Sequence, residues 1–238
     1  MELLIDVGNT RVKYALLENK HLSKINHCST FDFLKLLSSF DHISSILISS
    51  VSNQLFSKEI HTWADLQDIQ IKDLKTEAES FGIKNSYENY ATMGADRWLA
   101  VIGAQFLYPN ENLLIVDAGT AITFDLVDKE KQHQGGWIIP GVDMMMQALF
   151  KNTDKVFAEQ STIDVLAFGK STSDNVNLGC WSTATAAVHG AVAMTKDTDY
   201  SIERVVFTGG NGAELNRLGQ FNATYVENLV FVGMQRFL

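Results

Sequence analysis

The chain has 238 residues, a length that fits one large domain or two small ones. Hydrophobic residues make up 46% and charged residues 20%, which implies a packed core and excludes a disordered chain. With 19 Lys and Arg against 28 Asp and Glu the net charge is −9, which argues against nucleic acid as a partner of the whole molecule but not against a local anion site. Cys28 and Cys180 can build neither a disulfide framework nor a four-ligand zinc site, so they read as reduced thiols. The opening MELLIDVGNT carries no Lys or Arg and differs from a secretory signal. No apolar run approaches the ~20 residues that a membrane span needs, and the expectation is a cytoplasmic protein without membrane contact.

In chain order, Leu3 to Val7 reads as a buried strand, joined by the turn Gly8-Asn9-Thr10 to a second strand, Val12 to Leu17. A third strand runs through Ile25, and Phe31 to Phe40 reads as a helix capped by Thr30. Ser45 to Val51 is a strand, Leu55 to Leu66 a helix, and Ile69 to Lys72 a short strand. Gly94 to Arg97 begins a helix whose apolar face is Trp98, Leu99, Val101, Ile102 and Phe106. Leu113 to Val116 and Ala121 to Val127 are strands flanking Asp117-Ala118-Gly119-Thr120. Gly135 to Ile139 is short and apolar, and Pro140-Gly141 opens a helix with Val142, Met145, Met146 and Leu149 on one face. The Met144-Met145-Met146 run reads as core filler. A long helix covers about Asp174 to Met194, a strand covers Arg204 to Phe207, and a helix, a strand through Tyr225 and a final helix follow.

LLIDVGNTRVKYALLE and LLIVDAGTAITFDLVD share one pattern: apolar strand, Asp, Gly turn with Thr, second strand. Their separation by about half the chain implies a duplicated α/β domain, with the boundary near Pro109 to Asn112 and domains 1–111 and 112–238. Each turn exposes backbone N–H groups beside a carboxylate, an arrangement that can cradle phosphate while the Asp holds Mg²⁺. An ordinary capped hairpin accounts for the first turn alone equally well. The repetition, and a third turn at Thr208-Gly209-Gly210-Asn211-Gly212 between a strand and a helix, favour a nucleotide. Neither a Walker A loop nor a dinucleotide fingerprint is present. The six histidines have no metal-ligand spacing, and satisfied or exposed histidines are expected.

The ordered motifs Asp6-Val7-Gly8-Asn9-Thr10, Gly94-Ala95-Asp96-Arg97, Asp117-Ala118-Gly119-Thr120, Gly135-Gly136-Trp137-Ile138-Ile139-Pro140-Gly141 and Thr208-Gly209-Gly210 resemble those of type III pantothenate kinases. That family belongs to the acetate/sugar kinase, Hsp70 and actin superfamily. The resemblance runs from Asp6 to the helix after Gly212. It implies two actin-like, ribonuclease H-like domains with a duplicated βββαβα core and an interdomain active-site cleft. It implies ATP-dependent phosphorylation of pantothenate, the first step toward coenzyme A. By the same resemblance Asp6, Val7, Gly8, Asn9, Thr10, Arg11, Val12, Lys13 and Thr120 contact ATP, Asp6 positions Mg²⁺, and Asp117 holds K⁺ or NH₄⁺. Asp96 is the general base; Tyr87, Gly94, Ala95, Asp96, Arg97 and Thr172 surround pantothenate. A homodimer is implied, with Thr172 reaching the partner's site.

Each of these residues also has a structural role available. Asp96 can serve as a first-turn carboxylate beside Arg97, and Asp117 can cap its own turn. Thr172, 52 residues after Thr120, can cap the long helix. The stripe Val176, Leu178, Ala184, Ala187, Val188, Ala191 and Val192 suits a single-chain core as well as a dimer. Tyr90 stands where the family often has proline, so the loop before the helix lacks that stiffening. The alternatives are another small-molecule kinase of the superfamily, or a non-catalytic accessory regulator of transcription. The intact Asp6, Asp96 and Asp117 argue against the second.

Overall fold

The computed structural model describes residues 1–8, 11–50, 54–152 and 162–238. Its contacts divide the chain into Met1–Phe81, Tyr87–Gly103 and Asn228–Leu238 on one side and Gly82–Ser86 and Ala104–Glu227 on the other. These units interleave along the sequence, where the expected halves 1–111 and 112–238 are contiguous.

The first unit begins with β1 (Glu2–Val7), β2 (Val12–Glu18), β3 (His21–Leu22) and β4 (Asn26–Cys28), followed by α1 (Thr30–Leu36). It continues with β5 (Ser45–Ser50), α2 (Gln54–Leu66), β6 (Gln70–Leu74) and β7 (Glu79–Ser80). The sheet order is β3-β2-β1-β5-β6, with β4 also on β2. β1 pairs antiparallel with β2 and parallel with β5, and β5 is parallel to β6. The third strand expected through Ile25 is thus two pieces. Ser23 interrupts it, because its hydroxyl accepts the Leu16 N–H at 3.0 Å in place of a strand carbonyl. Ser29, not Thr30, caps α1: its Oγ accepts the Asp32 N–H at 3.1 Å and donates to the Asp32 carboxylate at 2.7 Å. The helix ends at Leu36 and tightens into a 3₁₀ turn over Leu37–Ser39.

Leu3, Ile5 and Val7 face a core built with Val12, Phe33, Ile46, Ile48, Phe56 and Ile60. Leu4 and Leu47, of opposite parity, are buried too, so both faces are covered and Leu3–Ile5 and Ile46–Ile48 read as continuous apolar runs rather than alternating ones.

After β8 (Ile83–Lys84) and α3 (Ala95–Leu107), the second unit adds β9 (Leu113–Ala118), β10 (Ala121–Val127), β11 (His133–Pro140), α4 (Val142–Asn152) and α5 (Thr172–Thr195). β12 (Arg204–Thr208), α6 (Gly212–Gly219) and β13 (Thr224–Tyr225) complete it, and α7 (Leu229–Met234) returns to pack on β1. The sheet order is β11-β10-β9-β12-β13. β9–β10 and β10–β11 are antiparallel, and β9–β12 and β12–β13 are parallel. The second sheet therefore repeats the first, strand for strand, once the split third strand is counted as one. That is the duplicated α/β arrangement expected from the repeat, and the actin-like one that the resemblance implies.

On α5, Val176, Cys180, Ala184, Val188 and Ala191 recur at helical spacing and are buried against Leu114, Phe124 and Phe207 of the same chain. All of the expected stripe but Leu178 thus packs within the chain, and those residues lend no weight to a dimer. Met146 is buried and Met145 packs on the core, but Met144 and Leu149 are exposed, so only part of the methionine run is filler. Phe106, expected on the buried face of α3, is exposed as well. Among the described residues no helix is long and apolar enough to cross a membrane.

Candidate active site

Each sheet carries one carboxylate at the same strand position. Asp6 is the penultimate residue of β1, in register with Lys13 on β2 and Ser49 on β5. Asp117 is the penultimate residue of β9, in register with Thr123 on β10 and Thr208 on β12. Asp6 is 4% exposed, and its Oδ2 lies 3.9 Å from the Lys13 ammonium, which offsets part of the cost of burying a carboxylate. The turn after it closes with the Gly8 N–H donating to Arg11 C=O at 3.1 Å. Val7 and Val12 have side chains wholly in the core, so any contact they make with a nucleotide is through main chain. Arg11 and Lys13 are exposed; Asn9 and Thr10 lie outside the described residues.

The second turn is one residue shorter: Ala118 pairs with Ile122, against Val7 with Val12. Its Gly119 N–H donates to Ala121 C=O at 3.0 Å, and Thr120 is exposed. The Gly141 N–H donates to the Thr120 carbonyl at 3.0 Å. A Cβ at 141 would collide with the Gly119 and Thr120 carbonyls and sit 2.9 Å from Thr120 C, so the Pro140-Gly141 motif belongs to this turn. Sequence reasoning did not join them; two glycines ending adjacent antiparallel strands are the signal that could have done so.

The third turn closes on the same place. Gly209 has φ +82°, and a Cβ there would strike Asp117 Oδ1 and lie 2.7 Å from Ala118 O. The Asn211 N–H donates to Ala118 O at 2.9 Å, and the Tyr225 hydroxyl donates to Gly209 O at 3.2 Å. Burial, with Glu227 and Asp117 nearby, raises the Tyr225 phenol above its ordinary value, so it stays a donor. The donors gathered here are a carboxylate and backbone carbonyls. An oxygen-only set fits a hard cation, and Ala118 O has a second lone pair. Among the described residues no cluster of three or more His, Cys, Asp or Glu could hold a metal by itself. Asp6 fits a Mg²⁺ ion that enters with phosphates, since that ion needs only one or two protein carboxylates.

The acceptor side is built on the start of α3. Asp96 sits in its first turn, with Oδ1 accepting the Arg97 N–H at 2.8 Å. A Cβ at Gly94 would stand 2.5 Å from that oxygen, so glycine at 94 lets the carboxylate fold back on the helix terminus. Arg97 is buried, and its Nη1 donates to the Tyr87 hydroxyl at 2.8 Å. The helix is anchored by Trp98, fully buried, whose indole N–H donates to Ser80 Oγ at 3.2 Å. The preceding loop needs no proline. Asn89 Oδ1 accepts the Ala91 N–H at 3.2 Å, and bonds from Thr92 and Met93 N–H to the Asn89 and Tyr90 carbonyls close a 3₁₀ turn over Tyr90–Thr92. Thr172 is the first residue of α5 and exposed, but it is not the cap. Ser171 Oγ accepts the Asp174 N–H at 3.1 Å. The structure thus gathers Tyr87, Gly94, Asp96 and Arg97 in one unit, and Asp117, Thr120 and Gly209 in the other, and it describes Asp6 beside Lys13.

A family model described as type III pantothenate kinase matches residues 2–194. A type III pantothenate kinase of Colwellia psychrerythraea is 34% identical, with all of both chains covered. One from Pseudoalteromonas translucida is 30% identical over 98% of this chain and 93% of its own. Among solved structures, a Campylobacter jejuni protein assigned to the Baf family of transcriptional activators superposes with TM-score 0.67 at 23% identity, covering 98% of this chain and 96% of that one. The activator of 2-hydroxyisocaproyl-CoA dehydratase from Clostridium difficile, solved with bound ADPNP, gives TM-score 0.54 at 11% identity over 99% and 93% of the two chains. At those identities the likeness is one of fold.

Proposed function

The chain belongs to the type III pantothenate kinase family, and from that premise we propose that it transfers the γ-phosphoryl group of ATP to the hydroxyl of pantothenate, the first step of coenzyme A synthesis. The observation that carries this reading is the intact Gly94-Ala95-Asp96-Arg97 tetrad at the start of α3, with the Asp96 carboxylate held by the Arg97 N–H and by the close approach that Gly94 permits.

In this reading the turn Asp6 to Lys13, with Asn9 and Thr10, and the exposed Thr120 bind ATP. Backbone N–H groups and the Arg11 and Lys13 cations supply donors and positive charge to the phosphates. Tyr87, Gly94, Ala95, Asp96, Arg97 and Thr172 bind pantothenate, the Arg97 guanidinium facing its carboxylate. Asp96 orients the acceptor hydroxyl and takes its proton as the new O–P bond forms; the β–γ bridging P–O bond breaks and ADP leaves. Asp6 holds Mg²⁺ and Asp117, with backbone carbonyls, holds K⁺ or NH₄⁺. When bound, these cations neutralise phosphate and carboxylate charge. Most of the rate then comes from positioning and electrostatics. We further propose a cytoplasmic homodimer in which Thr172 serves the partner's pantothenate site, with no part for nucleic acid or membrane.

The test is a coupled ADP-release assay with pantothenate against a panel of other small hydroxyl acceptors. Turnover with pantothenate, and far less with the others, is the expected outcome. Phosphorylation of a different acceptor with pantothenate inert overturns the substrate assignment; no ADP release with any acceptor overturns the kinase reading for this chain.

A further inference from the structure

A buried hydrogen-bond chain outside the motifs leads to the residue just before Tyr87. Asp125 on β10 and His133 on β11 are fully buried, and His133 Nε2 lies 3.1 Å from Asp125 Oδ1. The other ring nitrogen, Nδ1, lies 3.1 Å from Ser86 Oγ. A carboxylate oxygen accepts, so Nε2 is the nitrogen that donates to Asp125. With the ring in that tautomer, Nδ1 is the acceptor and the exposed Ser86 hydroxyl the donor.

The local backbone is shaped to allow this. Val127 pairs with His133 but Leu126 pairs with Gly135, so Gln134 is an extra residue in β11 and forms a bulge. Gly135 takes the bulge's positive φ of +108°, which a side chain would resist. The bulge turns His133 inward, and the segment before Ser86 is tied to the same corner. The Lys84 N–H donates to Lys131 O at 2.9 Å and Gln132 Nε2 donates to Lys84 O at 3.3 Å.

We propose that the Asp125–His133–Ser86 chain is a positioning device for Tyr87, holding its backbone while Arg97 holds its hydroxyl, and that it thereby sets affinity for the pantothenate-like acceptor. Ser86, His133 and Asp125 are positioning residues; none is placed on the substrate. The inference rests on the reading that Tyr87 contacts pantothenate.

Ser86→Ala removes the donor at an exposed position and leaves the fold intact. One neutral hydrogen bond is worth about three- to tenfold in an equilibrium constant. The KM for pantothenate therefore rises about three- to tenfold, while kcat and the KM for ATP stay within about twofold, the pattern of a lost uniform binding term. Ser86→Thr, which keeps the hydroxyl, restores the KM. In protein labelled with ¹⁵N-histidine, the His133 Nδ1 resonance moves in Ser86→Ala and returns in Ser86→Thr. Tyr87→Ala separates the two levels of inference. If Tyr87→Ala raises the pantothenate KM and Ser86→Ala does not, the positioning inference fails and the Tyr87 reading stands. If Tyr87→Ala leaves that KM unchanged, the reading on which it rests fails. Loss spread equally over both KM values and kcat, without rescue by threonine, also overturns the inference.

Discussion

The two glycines of Thr208-Gly209-Gly210 are alike in sequence and opposite in environment, which makes a paired substitution informative. Gly209 has φ +82°, and holding an L-residue in that left-handed region costs about 1–2 kcal/mol. A methyl group there also meets Asp117 Oδ1 and stands 2.7 Å from Ala118 O. The carbonyl is fixed in β9 by strand pairing and by the Asn211 N–H, so it cannot give way, and overpacking of this kind adds about 1–3 kcal/mol. The sum for Gly209→Ala is about 2–5 kcal/mol. At about 2–4 °C per kcal/mol for a chain of this size, Tm falls by at least ~4 °C. A Cβ at Gly210 meets nothing within 4 Å, and its φ is not in the positive range, so Gly210→Ala stays within about 0.5 kcal/mol. Thermal unfolding of both variants reads the difference, and a K⁺ titration of turnover reads its effect on Asp117. Gly209→Ala should unfold earlier and need more K⁺, and Gly210→Ala should do neither. Equal Tm values for the two variants would refute the packing of this turn on Asp117, and an unshifted K⁺ response in a destabilised Gly209→Ala would refute K⁺ binding at Asp117.

Asp96→Asn keeps the size of the side chain and an acceptor for the Arg97 N–H but cannot take a proton; kcat should fall about 10²–10⁴-fold with Tm unchanged, and near wild-type turnover would remove Asp96 as the base. At fixed ionic strength and saturating Mg²⁺, turnover should be several-fold higher in K⁺ or NH₄⁺ than in Na⁺, with the preference weakened in Asp117→Asn; equal rates in all three salts would leave Asp117 a structural role only. Light scattering at assay concentration should give the mass of two chains, and Thr172→Ala should raise the pantothenate KM without altering that mass; a fully active monomer would dispose of the shared site.

The elements that could be read along the chain are those whose cause is local. Leu3 to Ile5 and Leu113 to Val116 are unbroken apolar runs because both sheet faces are covered, and an Asp followed by a turn with Gly and Thr ends each at equal phase, so the duplication is legible in the sequence. Gly94 to Arg97 was legible as a helix start carrying a carboxylate for the same reason. Local competition already blurred the boundaries. Either of two adjacent hydroxyls can cap a helix, and Ser29 and Ser171 were chosen over Thr30 and Thr172 by which oxygen reaches the third N–H.

What the tertiary structure alone decided is partnership. Periodicity tells which face of an element is buried, but not which residue stands opposite. Asp117 meets Gly209 across 92 positions, Gly141 meets Thr120 across a strand pair, and Ser86 meets His133 across 47. Each of these contacts depends on register and on one backbone irregularity: a positive φ at Gly209, a bulge at Gln134, a steric opening at Gly141. Such features cost conformational energy that only the packed neighbours repay, so they leave no periodic trace in the sequence. The sequence by itself therefore determined the repeat, the two carboxylate turns and the tetrad at the start of α3. The assembled sheets determined which glycine must remain glycine, and why a buried histidine that no motif contains is joined to the residue before Tyr87.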